Sequence, residues 1–256
     1  MRVATWNVNS LGARWPRVAH WVREHAPDVL MIQETKQSDD RFPYAEFAEL
    51  GYESAHLGQG QWNGVAIVSR VGLRDVAPGL AGDDEARHIA ATCGPLRLHS
   101  CYVPNGRALD DPHYEYKLRW LDSLRDALAA RDESERTVVA GDFNVAPSDL
   151  DCWDPAALAG QTHVSEPERR AIGDIEATGL IDLARELHPS EPCFTWWDYR
   201  RSSYARDWGL RIDLVLVDAA VAAASTACWV DRAEREGDKP SDHAPVVLDL
   251  DEQRLS

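Results

Sequence analysis

The stretch SDHAP, Ser241–Pro245, stands directly before the apolar run Val246–Leu248 and is the most informative feature of the chain. Two other polar stretches, QETK at Gln33–Lys36 and GDFN at Gly141–Asn144, each follow an apolar, β-type run. Carboxylates, amides and an imidazole at the ends of buried strands are costly unless they are paired or hold a metal. The placement therefore predicts a hard-cation site suited to phosphodiester chemistry.

Length and composition favour a single globular domain. The chain has 256 residues, 44% of them hydrophobic and 27% charged, which is ordinary for a soluble protein with a well-buried core. We expect one domain over residues 1–256. No apolar run suits a membrane span, and the strand-like Arg2–Asn7 occupies the place of a signal peptide.

Cysteine usage and charge limit the environment and the partners. The 5 cysteines are scattered and form no C-x-x-C pair, so we expect a reduced cytoplasmic protein, nucleoid-associated if bacterial. The net charge of -16 argues against nonspecific polyanion binding, which needs positive surface. A local basic face remains open, because arginines occur in the segments that would flank the site: Arg14, Arg17, Arg87, Arg107, Arg200, Arg201, Arg206 and Arg211.

Strand-like runs recur along the chain with a few helices between them. Helical spacing predicts helices over Pro16–Glu24 and Tyr114–Ala130, and the capping box Ser165–Glu168 opens another that Gly179 should end. Without regular βαβ alternation, this pattern favours an α/β (α+β) sandwich of two packed sheets flanked by helices. Strands are predicted over Arg2–Asn7, Val29–Gln33, Tyr52–Leu57, Gly64–Ser69, Ile89–Cys93, Leu96–Tyr102, Thr137–Asp142, Phe194–Trp197, Arg211–Val217, Thr226–Asp231 and Val246–Leu250.

Oxygen-bearing side chains at the predicted strand ends suit magnesium, which needs few direct carboxylates and keeps several waters. Glu34 fits a direct ligand and Asn7 a weaker one; an ion pair with Lys36 and a strand-ending turn are the alternatives. Asp142 and Asn144 would face the same side of an extended chain. One would act on a water nucleophile and the other would donate to a phosphate oxygen, although an Asx-turn explains a lone D-x-N.

Asp213 lies in the otherwise apolar run Leu210–Val217, so its charge requires a partner. His243 is the candidate, because a carboxylate on one ring nitrogen fixes the tautomer and favours the imidazolium. That imidazolium would contact a phosphoryl oxygen or assist proton transfer; a purely structural Asp-His pair is the alternative. Asp242 places another carboxylate beside the ring, as expected at a metal site.

Two segments have the residue types of a substrate-binding surface. Tyr102–Gly106 follows a strand and presents a phenol and an amide that can bind phosphate. Phe194–Arg200 interleaves aromatic residues with arginine, which suits sugar or base packing. A locally satisfied tyrosine and an aromatic core strand, Trp197 in particular, are the ordinary alternatives.

Together these motifs resemble the exonuclease III family of apurinic/apyrimidinic (AP) endonucleases, within the DNase I-like endonuclease/exonuclease/phosphatase superfamily. W-N-V-N, Q-E-T-K, N-G-V-A-I, Y-V-P-N-G, G-D-F-N-V-A-P, W-W-D-Y-R, G-L-R-I-D and S-D-H-A-P occur in family order from Arg2 to Leu250. The resemblance implies a four-layered α/β sandwich of two mixed β-sheets. It also implies Mg²⁺-dependent DNA cleavage 5′ to abasic sites, with 3′-5′ exonuclease and 3′-phosphatase or phosphodiesterase activity.

The matching motifs assign roles to particular residues. One or two Mg²⁺ ions, for which Mn²⁺ can substitute, would be held by Asn7, Glu34, Asp142, Asn144, Asp242 and His243. The catalytic set would be Tyr102, Asp142, Asn144, Asp213 and His243. The DNA-binding set would be Asn9, Arg87, Asn105, Trp196, Leu210 and Arg211, with Trp196 and Leu210 walling a pocket for the extruded abasic sugar.

Some features depart from the family pattern. Gly12 stands where relatives often have arginine, and Leu150–Val164 has no basic cluster, so weak or salt-sensitive DNA binding is expected. A small-molecule or lipid phosphodiesterase or phosphatase of the same superfamily is the alternative, but it should lack the Tyr102–Gly106 and Trp196–Arg200 segments. The expected partner is abasic or 3′-blocked duplex DNA, with no membrane, and the expected state is a monomer.

Overall fold

The computed structural model describes residues 1–255, which form twelve β-strands, seven α-helices and short 3₁₀ turns. No helix in this range is long and apolar enough to cross a membrane. The strands are β1 (Arg2–Asn7), β2 (Val29–Gln33), β3 (Glu53–Gln59), β4 (Trp62–Ser69), β5 (Arg74–Pro78), β6 (His88–Cys93), β7 (Leu96–Tyr102), β8 (Arg136–Asp142), β9 (Leu180–Asp182), β10 (Asp213–Asp218), β11 (Ser225–Val230) and β12 (Val246–Leu250). The helices are α1 (Leu11–His25), α2 (Tyr44–Glu49), α3 (Pro112–Ala129), α4 (Pro155–Leu158), α5 (Glu166–Glu176), α6 (Leu183–Leu187) and α7 (Ala219–Ala224).

The strands form two mixed sheets. One has the order β11-β12-β1-β2-β4-β3 and the other has the order β5-β6-β7-β8-β10-β9. A parallel pair lies at the centre of each, β1 with β2 and β7 with β8. Asn7 therefore ends opposite Gln33, and Asp142 lies opposite both Tyr102 and Asp213. In this register the polar residues at the strand ends of each sheet lie side by side at one end of the sheet.

The two sheets pack face to face, and helices cover their outer faces. Alternate strand residues such as Met31 and Ala140 lie in the apolar layer between the sheets. On one outer face Trp21 of α1 packs near Trp6, and on the other Leu121 of α3 lies in the apolar layer against the second sheet. The predicted four-layered α/β sandwich with two mixed sheets is thus confirmed.

Ten of the predicted strands agree with observed strands to within two residues at each end. Phe194–Trp197 is wrong, because in this segment Trp196 makes only isolated bridges. β5 was not predicted from the sequence, because all of its residues are exposed and apolar residues do not alternate with polar ones along it. The helix predicted from Pro16 begins at Leu11, and the capping box of Ser165 is present, but α5 ends at Glu176, before Gly179.

Candidate active site

His243 lies buried between two carboxylates at the centre of the site. Its Nδ1 is 2.9 Å from Oδ2 of Asp213, and its Nε2 is 3.7 Å from Oδ2 of Asp142. Burial alone would lower the pKa of His243, but the charges of Asp213 and Asp142 outweigh it and raise the pKa to about 10. The ring is therefore an imidazolium at neutral pH, with a proton on Nε2 that can be donated.

Hydroxyl groups fix the segments that present this pair. Thr195 Oγ1 accepts the backbone N–H groups of Ile212 and Asp213, each at 3.1 Å, where β10 begins. Ser241 Oγ donates to the carbonyl of Asn7 at 2.8 Å and accepts the N–H of His243 at 3.2 Å. The SDHAP segment is thus hydrogen-bonded to the end of β1. This agrees with its position directly before β12, because β12 pairs antiparallel with β1.

Glu34 and Asp142 approach each other from different sheets. The side-chain NH₂ of Asn7 donates to Oε1 of Glu34 at 2.8 Å and to Oδ2 of Asp142 at 2.9 Å. Ligand atoms of Glu34, Asp142 and His243 all lie within 4.8 Å of one another, and the two carboxylates of this group have the lone pairs that can hold a metal ion, whereas the protonated ring of His243 has none. Asn7 Oδ1 instead accepts the N–H of Asn9, so Asn7 contacts the cluster through its NH₂ and not through a ligand oxygen.

Burial raises the pKa of Asp142 to about 7, with the charges of Asp213 and Glu34 acting in the same direction and that of His243 opposing them. Such a cluster of carboxylate oxygens is the donor set that a hard divalent cation prefers. The cation would offset the repulsion between Glu34 and Asp142. The residues present therefore fit a magnesium-type ion.

The backbone around Glu34 is held in an unusual conformation. Glu34 and Lys36 have φ of 52° and 50°, in the left-handed region. Lys36 Nζ forms an ion pair with Glu34 at 2.8 Å and donates to Oδ1 of Asn9 at 2.5 Å. Glycine is required at position 64, because a Cβ on Gly64 would lie 2.0 Å from Oγ1 of Thr35. The ion pair between Lys36 and Glu34, which the sequence suggested as an alternative to metal binding, is thus present while Glu34 also lies in the candidate metal-binding cluster.

Asp142 and Asn144 meet through a turn. The N–H of Asn144 donates to Oδ1 of Asp142 at 2.9 Å, which is an Asx-turn, and Asn144 has φ of 52°. Its side-chain NH₂ donates to Oδ2 of Asp142 at 3.2 Å and to the carbonyl of Val103 at 2.9 Å. The side chains of Asp142 and Asn144 thus lie together as predicted. The predicted reason, an extended chain that places both on one side, was wrong, because a turn brings them together.

A pocket of about 130 Å³ opens onto these groups, lined by Glu34, Tyr102 and Asp142 among others. Burial, with the charges of Glu34 and Asp142, raises the pKa of Tyr102 well above its usual value. The phenol is therefore neutral and can donate a hydrogen bond at neutral pH. His163 and Ile212 also line the pocket, and neither was predicted from sequence.

Trp196 lines both this pocket and a larger cavity of about 990 Å³, which Leu210 also lines. Its indole Nε1 donates to Oδ2 of Asp242 at 3.0 Å, while Nδ2 of Asn9 donates to the other oxygen at 3.0 Å. Asn105 lines both spaces. Four residues predicted to bind DNA thus lie beside the active site: Asn9, Asn105, Trp196 and Leu210. Asp242 lines the smaller pocket and accepts hydrogen bonds from two neutral donors, Asn9 and Trp196.

The two arginines predicted to bind DNA lie inside the protein. Arg211 is 1% exposed and binds the carboxylates of Asp151 and Asp182, so its prediction as a DNA contact is wrong. Arg87 is 6% exposed, donates to Glu85 at 2.6 Å and places its guanidinium 4.8 Å from the ring centre of Tyr102. Arg87 therefore packs against the Tyr102 ring, and its charge is paired with Glu85 inside the protein and is not presented to a ligand. The sequence revealed the charges but not their buried partners.

Lys117, His163 and Glu168 adjoin the site and were missed. Burial, then the charge of Lys117, lowers the pKa of His163 to about 4, so this ring is neutral. Glu168 was recognised only as the last residue of a capping box, and nothing in the sequence indicated that it also pairs with Lys117.

Comparison with known proteins gives a consistent family assignment. The model of the Endonuclease/Exonuclease/phosphatase family matches residues 4–243. Exodeoxyribonuclease III of Haemophilus influenzae is 30% identical over 265 residues, 96% of this chain and 98% of the relative. The 3′ phosphatase NExo from Neisseria, solved with a product DNA hairpin, has a TM-score of 0.94 at 41% identity, covering 98% of this chain and 99% of its own. An AP endonuclease from Archaeoglobus fulgidus has a TM-score of 0.95 at 37% identity, with coverage of 98% and 99%. The chain therefore belongs to the exonuclease III branch of the endonuclease/exonuclease/phosphatase family of hydrolases.

Proposed function

We propose that this chain is a Mg²⁺-dependent DNA-repair phosphodiesterase that processes 3′ ends, as a 3′-phosphatase and 3′-5′ exonuclease, and incises DNA 5′ to abasic sites. The observation that carries the proposal is the convergence of Glu34, Asp142 and His243 within 4.8 Å at a pocket. The role of DNA as substrate is supported by the 41% identity to a 3′ phosphatase solved with a DNA product.

Glu34 and Asp142 would hold the Mg²⁺ ion, with Mn²⁺ as a substitute. When bound, the ion supplies neutralisation of charge on the phosphate oxygens and polarisation of the scissile bond. Asn144 and Asp242 also line the pocket and are further candidate ligands, for this ion or for a second one.

The remaining groups act on the substrate directly. Asp142, which lines the pocket beside His243, is placed to orient the attacking water and to accept its proton. Nε2 of His243 is 3.7 Å from Oδ2 of Asp142, too far for a strong hydrogen bond, so its proton is free to bind a phosphoryl oxygen. Asp213 keeps that ring charged and oriented, and Tyr102 offers a further donor.

The dimensions of the site support both reactions. A pocket of about 130 Å³ suits a single phosphate group, which favours removal of a 3′-phosphate. The adjoining cavity of about 990 Å³, walled by Trp196 and Leu210, has room for a sugar and flanking nucleotides. Incision at abasic sites is supported by this space and by the 37% identity to the Archaeoglobus AP endonuclease. We further propose that the protein acts as a single-domain monomer in the cytoplasm.

The test is a parallel assay of the purified protein. An abasic duplex, an undamaged recessed 3′ end and a 3′-phosphate end are offered with Mg²⁺, with Mn²⁺ and with EDTA, and the Glu34→Ala variant serves as control. We expect metal-dependent release of phosphate from the 3′-phosphate end and incision of the abasic duplex. Inactivity on all three DNAs, with cleavage of small-molecule or lipid phosphoesters, would establish the alternative function.

A further inference from the structure

A lysine ammonium group is buried behind the catalytic pocket. Lys117 lies on α3 and is fully buried. Its Nζ donates to the backbone carbonyl of Asn144 at 2.6 Å and to that of Asn105 at 3.4 Å. It also forms an ion pair with the buried carboxylate of Glu168, on α5. One cation thus joins three segments that are distant in sequence.

The carboxylate of Glu168 extends this network to a further wall of the pocket. Its Oε1 accepts the hydroxyl of Thr162 at 2.8 Å and the backbone N–H of His163 at 2.9 Å. Its Oε2 accepts the hydroxyl of Ser165 at 2.6 Å. His163 in turn places Nδ1 2.5 Å from the carbonyl of Asn144, where the neutral ring can donate. Two donors, on Lys117 and His163, therefore converge on one carbonyl oxygen.

A buried ion pair is weak evidence for stability, because an apolar pair of similar volume is often as stable. A lysine at this position has N–H donors that an apolar side chain lacks. The carbonyl that it binds belongs to Asn144, whose left-handed backbone, at φ of 52°, requires support. The network ends on Asn105, Asn144 and His163, all of which line the pocket.

We propose that Lys117 and Glu168 are positioning residues for catalysis. They hold the peptide of Asn144 so that its side-chain NH₂ stays 3.2 Å from Oδ2 of Asp142. The inference rests on the proposed function, because that function assigns Asn144 and Asp142 to the reaction. Neither Lys117 nor Glu168 lines the pocket, so both act through Asn144 and its neighbours.

Two variants separate positioning from stability. Lys117→Met leaves the Glu168 carboxylate buried without its cation and should lower Tm. Adding Glu168→Gln should restore part of the lost Tm, because the buried side chain is then neutral and its amide oxygen can still accept from Thr162 and His163. The new NH₂ can donate to the hydroxyl of Ser165, but it also faces the backbone N–H of that residue, which loses its acceptor. In both variants kcat on a 3′-phosphate duplex, measured well below the lowest Tm, should fall on the order of 10- to 100-fold. KM should stay within about threefold, since no group that contacts substrate is changed.

A double variant that regains both Tm and wild-type kcat would show that the pair is merely structural and would overturn the proposal. A second readout does not depend on catalysis. With ¹⁵N-labelled asparagine, the side-chain NH₂ of Asn144, assigned with the Asn144→Asp variant, should exchange with solvent faster in the double variant than in the wild type. Unchanged exchange would also overturn the proposal. If the wild-type protein cleaves no DNA, the proposed function fails, whereas the exchange measurement still decides the positioning role.

Discussion

Replacing Arg211 with methionine should lower the melting temperature substantially and leave DNA affinity unchanged. The guanidinium donates from Nε to Asp151 at 2.6 Å, and from Nη1 and Nη2 to Asp182 at 2.9 and 2.7 Å. Methionine has a similar length but no donor, so two buried carboxylates lose a cation. Removing one partner of a buried pair costs about 3–5 kcal/mol.

Arg185 still donates to Asp151 at 2.6 Å, which places the expected loss near the lower end, about 3 kcal/mol. At about 2–4 °C per kcal/mol for a protein of this size, Tm should fall by about 6–12 °C. The matched control is Arg200→Met, because the Arg200 side chain is 85% exposed and its ion pair with Asp198 contributes little.

The pH dependence gives a second measurement on the same variant. Burial raises the pKa of Asp151, but the hydrogen bond and charge of Arg211 outweigh burial, and the net pKa lies below its usual value. A lowered folded-state pKa contributes stability at neutral pH that is lost as pH falls through that pKa. Without Arg211 the pKa of Asp151 rises, so acid unfolding should begin at a higher pH than in the wild type.

Calorimetry and a DNA-binding titration across a salt series decide the matter. Arg211 is 1% exposed, so the slope of log affinity against log salt should not change. An unchanged Tm together with a weaker affinity and a salt slope reduced by about 1 would mean that Arg211 contacts phosphate, and the reasoning from burial would be refuted.

Further predictions concern the pocket itself. Glu34→Ala should lose most activity without lowering the apo-protein Tm much, because the repulsion with Asp142 that it relieves offsets the lost contacts with Lys36 and Asn7; full cleavage at low Mg²⁺ would contradict the metal assignment. Asp142→Asn and His243→Ala should each slow single-turnover cleavage on the order of a hundredfold or more with little change in DNA affinity. Lost affinity with intact chemistry would instead make them binding residues. Trp196→Ala should lose discrimination between abasic and undamaged DNA across a salt series, and retained discrimination would show that Trp196 does not wall the lesion pocket.

The sequence predicted the centre of the site because strand ends are encoded locally. Apolar runs placed Glu34 and Asp142 at or just after carboxyl ends of strands. Parallel pairing then brought such ends together, as in the register of Asn7 with Gln33. The charge of Asp213 in an apolar run identified His243 as its partner, and the two lie 2.9 Å apart.

What the sequence could not supply is the partner of each charge when that partner is remote. Arg211 and Lys117 have the same formal charge as a surface cation, and only the fold shows that they bind Asp182 and Glu168 across the interior. The sequence allows Trp197 as a substrate contact or as a core residue, and its burial and edge-on packing against Tyr204 place it in the core.

The charges around the pocket bear on how a protein with a net charge of -16 would bind a phosphate group. Lys36 and Arg87, both beside the pocket, are neutralised by Glu34 and Glu85, so neither presents uncompensated positive charge to a phosphate. The imidazolium of His243 is likewise flanked by Asp213 and Asp142. A divalent cation held by Glu34 and Asp142 would therefore reverse the local charge at the place that we propose for the phosphate group. Anything that binds better when the cation is present also strengthens the binding of the cation by the same factor. Affinity for the phosphate group and affinity for the metal should thus be coupled in this protein, and long-range attraction to the DNA backbone should contribute less than it does in a basic nuclease.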